Sequence, residues 1–139
     1  MTRLSRTRSA LLFSLLLATG CGDDDDGGTA ADRLGVGAEC ASNDDCPQSE
    51  RDGGISQQCL TQFKGGYCGL EDCSDHDDCP QGSGCVTHDD GGNYCFRLCR
   101  DKPECNLNRS LDNEANCSSS IDYAAEDLGK ACVPPSGGD

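Results

Sequence analysis

Apolar residues gather in one long run along this 139-residue chain, Ala10-Leu-Leu-Phe-Ser-Leu-Leu-Leu-Ala18, which Ser14 alone interrupts. Arg3, Arg6 and Arg8 precede it with no acidic residue among the first eight, the layout of a charged n-region and an h-region. About nine residues fall short of the roughly 20 that a helix needs to cross a bilayer core, so residues 1–20 read as a cleaved export signal. The stretch that follows, Gly22-Asp23-Asp24-Asp25-Asp26-Gly27-Gly28-Thr29-Ala30-Ala31, is polar and like-charged and predicts a disordered spacer. Further on, apolar positions recur in short pieces. Cys59-Leu-Thr-Gln-Phe-Lys-Gly65-Gly66-Tyr67-Cys68 and Cys85-Val-Thr-His-Asp-Asp-Gly91-Gly92-Asn93-Tyr94-Cys95 each read as strand, glycine-pair turn, strand. Ile121 to Gly129 predicts one or two helical turns ending at the glycine, and Pro134 to Asp139 a loose tail.

Cysteine spacing organises these pieces. Twelve of the thirteen cysteines form three consecutive sets of four, and each set opens with C-x5-C: Cys40 and Cys46, Cys73 and Cys79, Cys99 and Cys105. The first two sets share Asp-Asp-Cys-Pro-Gln at 44–48 and 77–81, and in both a tyrosine (Tyr67, Tyr94) precedes the fourth cysteine. The third lacks the Cys-Pro dipeptide and reads as a degenerate, capping copy. The organisation expected is therefore a signal over 1–20, a tether over 21–39, modules at 40–72, 73–98 and 99–133, and a tail over 134–139.

Twelve cysteines among the 93 residues from Cys40 to Cys132 exceed the roughly 8–10 % that marks a disulfide scaffold. Past the signal there is no Trp, with two Phe and three Tyr, too few large side chains for a central core. The fold class expected is small and disulfide-rich: three tandem four-cysteine modules with short β-hairpins and little regular secondary structure. Each set permits three pairings. The favoured one joins first with third and second with fourth, tying the arm to both strands of the hairpin: Cys40–Cys59, Cys46–Cys68, Cys73–Cys85, Cys79–Cys95, Cys99–Cys117 and Cys105–Cys132. A first-to-second bridge closes the smallest loop and gains the least entropy, while a nested pairing stays open.

Charge removes whole classes of partner. Residues 1–20 hold three of the eleven basic residues and none of the acids, so a chain beginning at Cys21 carries a formal charge of −17. Such a chain repels a phosphate backbone, and nucleic acid is not an expected partner. Attachment to a membrane must then come through lipid. Leu17-Ala18-Thr19-Gly20-Cys21 resembles the lipobox of bacterial prolipoproteins processed by signal peptidase II, with Ala18 where Leu is usual and Thr19 where Ala or Ser is usual. That resemblance implies an acylated, membrane-anchoring Cys21, palmitate included, as the mature N-terminus, and a place in the cell envelope facing the periplasm or the cell surface. From Cys40 to Cys95 the repeats look like the cysteine-rich repeats of myxobacterial-type predicted lipoproteins, and loosely like EGF-like and knottin-like modules. This implies extracellular display and a protein or glycan partner, and carries over no catalytic residue.

Candidate chemistry is thin. His76 and His88 stand among aspartates, no thiol is spare once twelve cysteines pair, and there is little aromatic wall to raise a carboxyl pKa, so no enzyme and no cofactor are expected. Zinc knuckles want C-x2-4-C, whereas each module opens with C-x5-C, and an exported chain meets an oxidising compartment, so no metal site is expected. Asp44, Asp45, Asp75, Asp77, Asp78, Asp89 and Asp90 form the alternative, an extracellular calcium-binding module, although Asp75 to Pro80 misses the EF-hand pattern. A second alternative is a protease-inhibitor-like hairpin with Lys64 as its reactive residue. The sequons at Asn108 and Asn116 are read as coincidental. The function expected is a lipid-anchored, non-enzymatic structural or recognition protein.

Overall fold

The computed structural model describes residues 28–50 and 54–137. In chain order the elements are α1 (Ala30–Arg33), β1 (Gln48–Ser49), β2 (Ile55–Ser56), β3 (Gln58–Cys59), β4 (Cys68–Gly69), β5 (Ser83–Thr87), β6 (Asn93–Arg97), α2 (Lys102–Cys105), β7 (Asn116–Ser118), β8 (Asp122–Tyr123) and β9 (Ala131–Val133). Three 3-10 turns, Asn43–Asp45, His76–Asp78 and Leu111–Asn113, lie between them. The strands pair antiparallel as β1-β2, β3-β4, β6-β5-β8 and β7-β9. The chain is thus a small disulfide-rich protein of three four-cysteine groups with short strand pairs.

Each group folds as an arm laid across a ladder, and one carboxylate shapes each arm. Asp45 Oδ2 accepts from the backbone N–H groups of Ala41 (2.8 Å) and Ser42 (2.9 Å), which closes Asn43–Asp45 into its turn. Asp78 Oδ2 does the same for Ser74 (2.7 Å) and Asp75 (3.3 Å). In the third arm α2 replaces the 3-10 turn, with Asp101 as N-cap and Pro103 in the first turn, where no N–H is needed. There Glu104 Oε2 accepts from the Arg100 N–H (2.7 Å). These carboxylates stand one place before the second cysteine of their set, so each accepts from backbone N–H groups inside C-x5-C and closes the arm on itself.

The ladders repeat as well. Cys59 faces Cys68, Cys85 faces Cys95 and Cys117 faces Cys132 across β3-β4, β5-β6 and β7-β9. The third group therefore keeps arm, carboxylate and ladder, and is less degenerate than its sequence suggests. What differs is the segment between its strands, residues 119–130, which crosses to the second group. There β8 pairs with β5, Tyr123 opposite Val86 and Asp122 opposite Thr87, and the Ala124 N–H donates to the Cys85 carbonyl (3.0 Å). This corrects the helix expected over Ile121–Gly129. An isolated helix of one or two turns carries a nucleation cost, whereas the open edge of β5 offers unpaired backbone groups.

A shared core exists, against the expectation that so few large side chains cannot build one. Ala31, Leu34 and Val36, then Leu60, Phe63 and Tyr67, then Val86, Tyr94 and Phe96, and finally Ala131 form one buried cluster drawn from the N-terminal segment and all three groups. Alternation puts Tyr94 and Phe96 on one face of β6 and Cys95 on the other, so the strand serves the aromatic core and its bridge at once. Phe63 sits edge-on to Tyr67 (6.0 Å between ring centroids), Tyr94 (5.0 Å) and Phe96 (5.7 Å).

Two boundaries also move. The tether expected over 21–39 ends by Thr29, because Thr29 and Asp32 form a reciprocal capping box and α1 delivers Ala31 and Leu34 to the core. The Ala31 N–H donates to Gln81 O (2.9 Å), the Gly37 N–H to Cys68 O (2.9 Å), and the buried Gln57 amide to Leu34 O (2.7 Å) and Pro47 O (2.9 Å). The tail expected to be loose over 134–139 is held through Ser136, which bridges to Phe63, while the Lys64 N–H donates to Pro135 O (3.0 Å). Phe63→Ala should cost about 3–5 kcal/mol. With one core, denaturant unfolding of the oxidised protein should move to a lower midpoint in probes of all three groups together. A shift confined to probes of 40–72 would mean three independent modules.

Candidate functional site

The twelve cysteines of the three sets form Cys40–Cys59, Cys46–Cys68, Cys73–Cys85, Cys79–Cys95, Cys99–Cys117 and Cys105–Cys132, with Cα–Cα distances from 5.3 to 6.0 Å, well inside the usual span of a disulfide. Each set joins first with third and second with fourth. Three buried sulfur clusters result, one around Cys46, Cys59 and Cys68, one around Cys73, Cys85 and Cys95, one around Cys105 and Cys132. Cys21 lies outside the described residues. Among those residues the metal-ligand types that converge in threes are cysteines of these bridges, and a bonded sulfur has no thiolate charge to offer zinc.

Both histidines hold structural posts. The Cys85 N–H donates to His76 Nδ1 (3.1 Å), which leaves the ring proton on Nε2, and this donates to Glu126 O (2.7 Å). His76 thus ties the 119–130 segment to the second arm. His88 has its side chain 7 % exposed, ringed edge-on by Phe63 (5.1 Å) and Phe96 (6.0 Å), with Nδ1 3.4 Å from Asp90 Oδ1 and without a hydrogen bond. Asp90 itself accepts from the Gly92 N–H (2.9 Å) and from the Tyr94 hydroxyl (3.0 Å). His88 borders a cavity of about 120 Å³ at the seam of the second and third groups, with Phe96, Ser120, Ile121 and Asp122.

Sequence reasoning missed Arg109, which stands inside one of the sequons. Its side chain is buried and donates to the carbonyls of Asn113 (2.7 Å), Gly37 (3.0 Å), Gly66 (2.9 Å) and Lys64 (2.8 Å). Burial pulls its pKa down, and the nearby Glu39 carboxylate opposes that pull. One guanidinium thereby joins the N-terminal segment, the first hairpin and the third group. No periodicity or spacing marks it in the sequence. Tyr67 is the other hidden hub, its hydroxyl accepting from the Arg97 N–H (3.1 Å), and burial drives its pKa up to about 12.

Lys64 is exposed at the first turn with its backbone engaged, its N–H donating to Pro135 O and its carbonyl accepting from Arg109, while its side-chain Nζ donates to Asp112 O (2.8 Å). An inhibitor loop needs that backbone for its protease. Of the aspartates read as calcium candidates, Asp45 and Asp78 are bound to their own arms, Asp75 accepts from the Asp77 N–H (2.8 Å), and Asp90 closes the β5-β6 turn. The acidic residue before the second cysteine in all three sets was the sequence signal for this use. Asn108 and Asn116 are exposed.

No protein-family model, curated protein or solved structure matches the chain. What defines it is its own architecture, a disulfide-stapled scaffold of three clamped ladders.

Two outcomes follow from these assignments. Backbone N–H groups of Ala41 and Ser42 hold the Asp45 carboxyl below the usual carboxylate range, and the Arg100 N–H and guanidinium do so for Glu104. The unfolded chain therefore takes up these protons first. Their contribution is full by about pH 6, well above the unfolded values, and is lost as pH falls through the lower folded values. The denaturant midpoint of the oxidised protein should drop from pH 6 to pH 3, with the Ala41, Ser42 and Arg100 amide shifts moving together, and a flat midpoint would contradict this. Reduction should collapse the dispersed amide spectrum, while a calcium chelator should leave the Asp75–Asp78 and Asp89–Asn93 resonances in place. Their loss on chelation with bridges intact would restore calcium as the organiser of these turns.

Proposed function

We propose that the chain is a lipid-anchored, non-enzymatic structural or recognition protein of a bacterial cell envelope, anchored through Cys21 and facing the periplasm or the cell surface. The observation that carries this reading is the six-bridge scaffold behind an apolar leader that ends in a cysteine. Structural disulfides persist in oxidising compartments, which accords with export of the chain. Acylation at Cys21 supplies the several hydrocarbon chains that stable anchoring takes, and the acidic balance keeps the domain from adhering to anionic lipid by charge alone. Rigid ladders displaying short turns suit recognition of a protein or glycan. The inhibitor alternative has little support in the engaged backbone of Lys64, and the calcium alternative little in carboxylates already bonded to their own arms.

Cys21→Ser is the direct test. In cells of a lipoprotein-processing bacterium the native protein should partition into detergent and incorporate labelled palmitate. The variant should lose the label, keep its signal peptide in place of signal-peptidase-II maturation, and leave the bridges unaffected. An unlabelled native protein, or an unchanged membrane fraction for a variant whose signal is cleaved elsewhere, would sink the anchor.

A further inference from the structure

We infer that the seam cavity beside His88 binds a primary alkylammonium group, either the end of a partner's lysine side chain or a free alkylamine. The recognition reading above enters only as the source of a lysine, and the anchor at Cys21 does not enter at all. Size is the first ground. The cavity measures about 120 Å³. An apolar cavity of about 150 Å³ takes benzene, so about five heavy atoms fit here, as many as the methylenes and nitrogen of a lysine side chain. The wall suits the methylenes. Val86 and Phe96 belong to the buried core, and Ile121 and Val133 pack against it.

Two observations set the polarity of the ligand. Asp89 and Asp122 border the cavity at exposed positions, and among the described residues neither carboxylate makes a hydrogen bond or an ion pair. Asp32, Asp45, Asp78 and Asp90 by contrast are engaged, by an arginine, by backbone N–H groups or by a tyrosine. Among the described residues no lysine or arginine borders the cavity, so its field is negative. His88 is the second observation. Its side chain is 7 % exposed, and its Nδ1 is sealed from solvent without a hydrogen bond, 3.4 Å from Asp90 Oδ1. That carboxylate favours the ring proton on Nδ1, which leaves Nε2 a lone pair able to accept from a donor. A nearly buried imidazole without a partner is a cost that a ligand donor would relieve.

A divalent cation fits this arrangement poorly. Among the described residues the metal-ligand types that converge in threes are bridge cysteines, so His88, Asp89 and Asp122 lie too far apart for one ion to collect. An alkylammonium needs one acceptor and the field of carboxylates around it, which that spacing permits.

The test is an amide NMR titration of the whole oxidised chain with n-butylammonium, with butan-1-ol and butyrate as neutral and anionic probes of similar length. Saturable shifts centred on Thr87 to Asp89 and Ser118 to Asp122 are expected, with butan-1-ol about tenfold weaker and butyrate without effect. The paired replacement Asp89→Asn and Asp122→Asn, at exposed positions, should weaken butylammonium about tenfold, the loss of two partly screened charges. His88→Phe keeps a ring in the aromatic cluster but removes the acceptor, and should weaken binding as well. Equal binding of butan-1-ol would reduce the site to an apolar hole and overturn the ammonium, as would full affinity in the paired variant. Shifts elsewhere, or none, would overturn the site. N-acetyl-lysine N-methylamide separates the two sources. Shifts at the same residues assign the ligand to a partner's lysine, and their absence while butylammonium binds assigns it to a free amine. Failure of every titration would leave the anchor untouched, since Cys21→Ser tests that independently.

Discussion

In every group the third and fourth cysteines stand opposite one another across an antiparallel ladder, yet neither bonds to its neighbour, and the rest of the structure depends on that arrangement. Each bonds instead to a cysteine of the C-x5-C arm, whose turn a single carboxylate closes. The bridges close sequence separations of 12 to 27 residues. In the chain-entropy model each is worth about 3 kcal/mol, varying little because the dependence on loop length is logarithmic. Six of them place three arms across three ladders with hardly any choice left to the intervening chain.

Clamping alone would leave three independent units. Packing makes them one, because Phe63, Tyr67, Tyr94 and Phe96 each project from a clamped hairpin toward a common centre that α1 completes. Arg109 acts on the same seam. A buried guanidinium is costly to strand and stable only when its donors are met, so four carbonyl partners fix the N-terminal segment, the first turn and the third group relative to one another. His76 and β8 fasten the second group to the third in the same way. Polar ties between units supply the directional register that a core of ten aliphatic and aromatic side chains does not.

This rigidity bears on recognition. Turns held at both ends by bridges lose little freedom on meeting a partner, which reduces the ordering cost of association.

Much of this was legible in the residues and some was not, and the division follows the range of the forces. Cysteine count and spacing bounded the class, a small stapled chain of three groups, because covalent bridges leave their stoichiometry in the sequence. Gly65-Gly66 and the Gly91-Gly92 pair marked turns, since positive φ at Gly65, Gly66 and Gly91 is a local demand. The Thr29-x-x-Asp32 box and the acid before each second cysteine were equally local and readable, though the first reads as part of the tether and two of the three acids enter only the alternative calcium reading. Tertiary structure alone decided that Ala31, Leu34 and Val36 join the core, that Ile121–Gly129 gives a strand instead of a helix, that Arg109 is buried, and that Pro134 to Ser136 is held. Each of these depends on partners 40 or more residues away or on an edge built elsewhere in the chain, as Arg109 to Gly37 and Tyr123 to Val86 show. Sequence by itself determined the local geometry and the number of covalent ties, because both act over a few residues. Which surfaces those ties bring together was decided only by the fold, because burial and hydrogen-bond satisfaction are properties of the assembled chain.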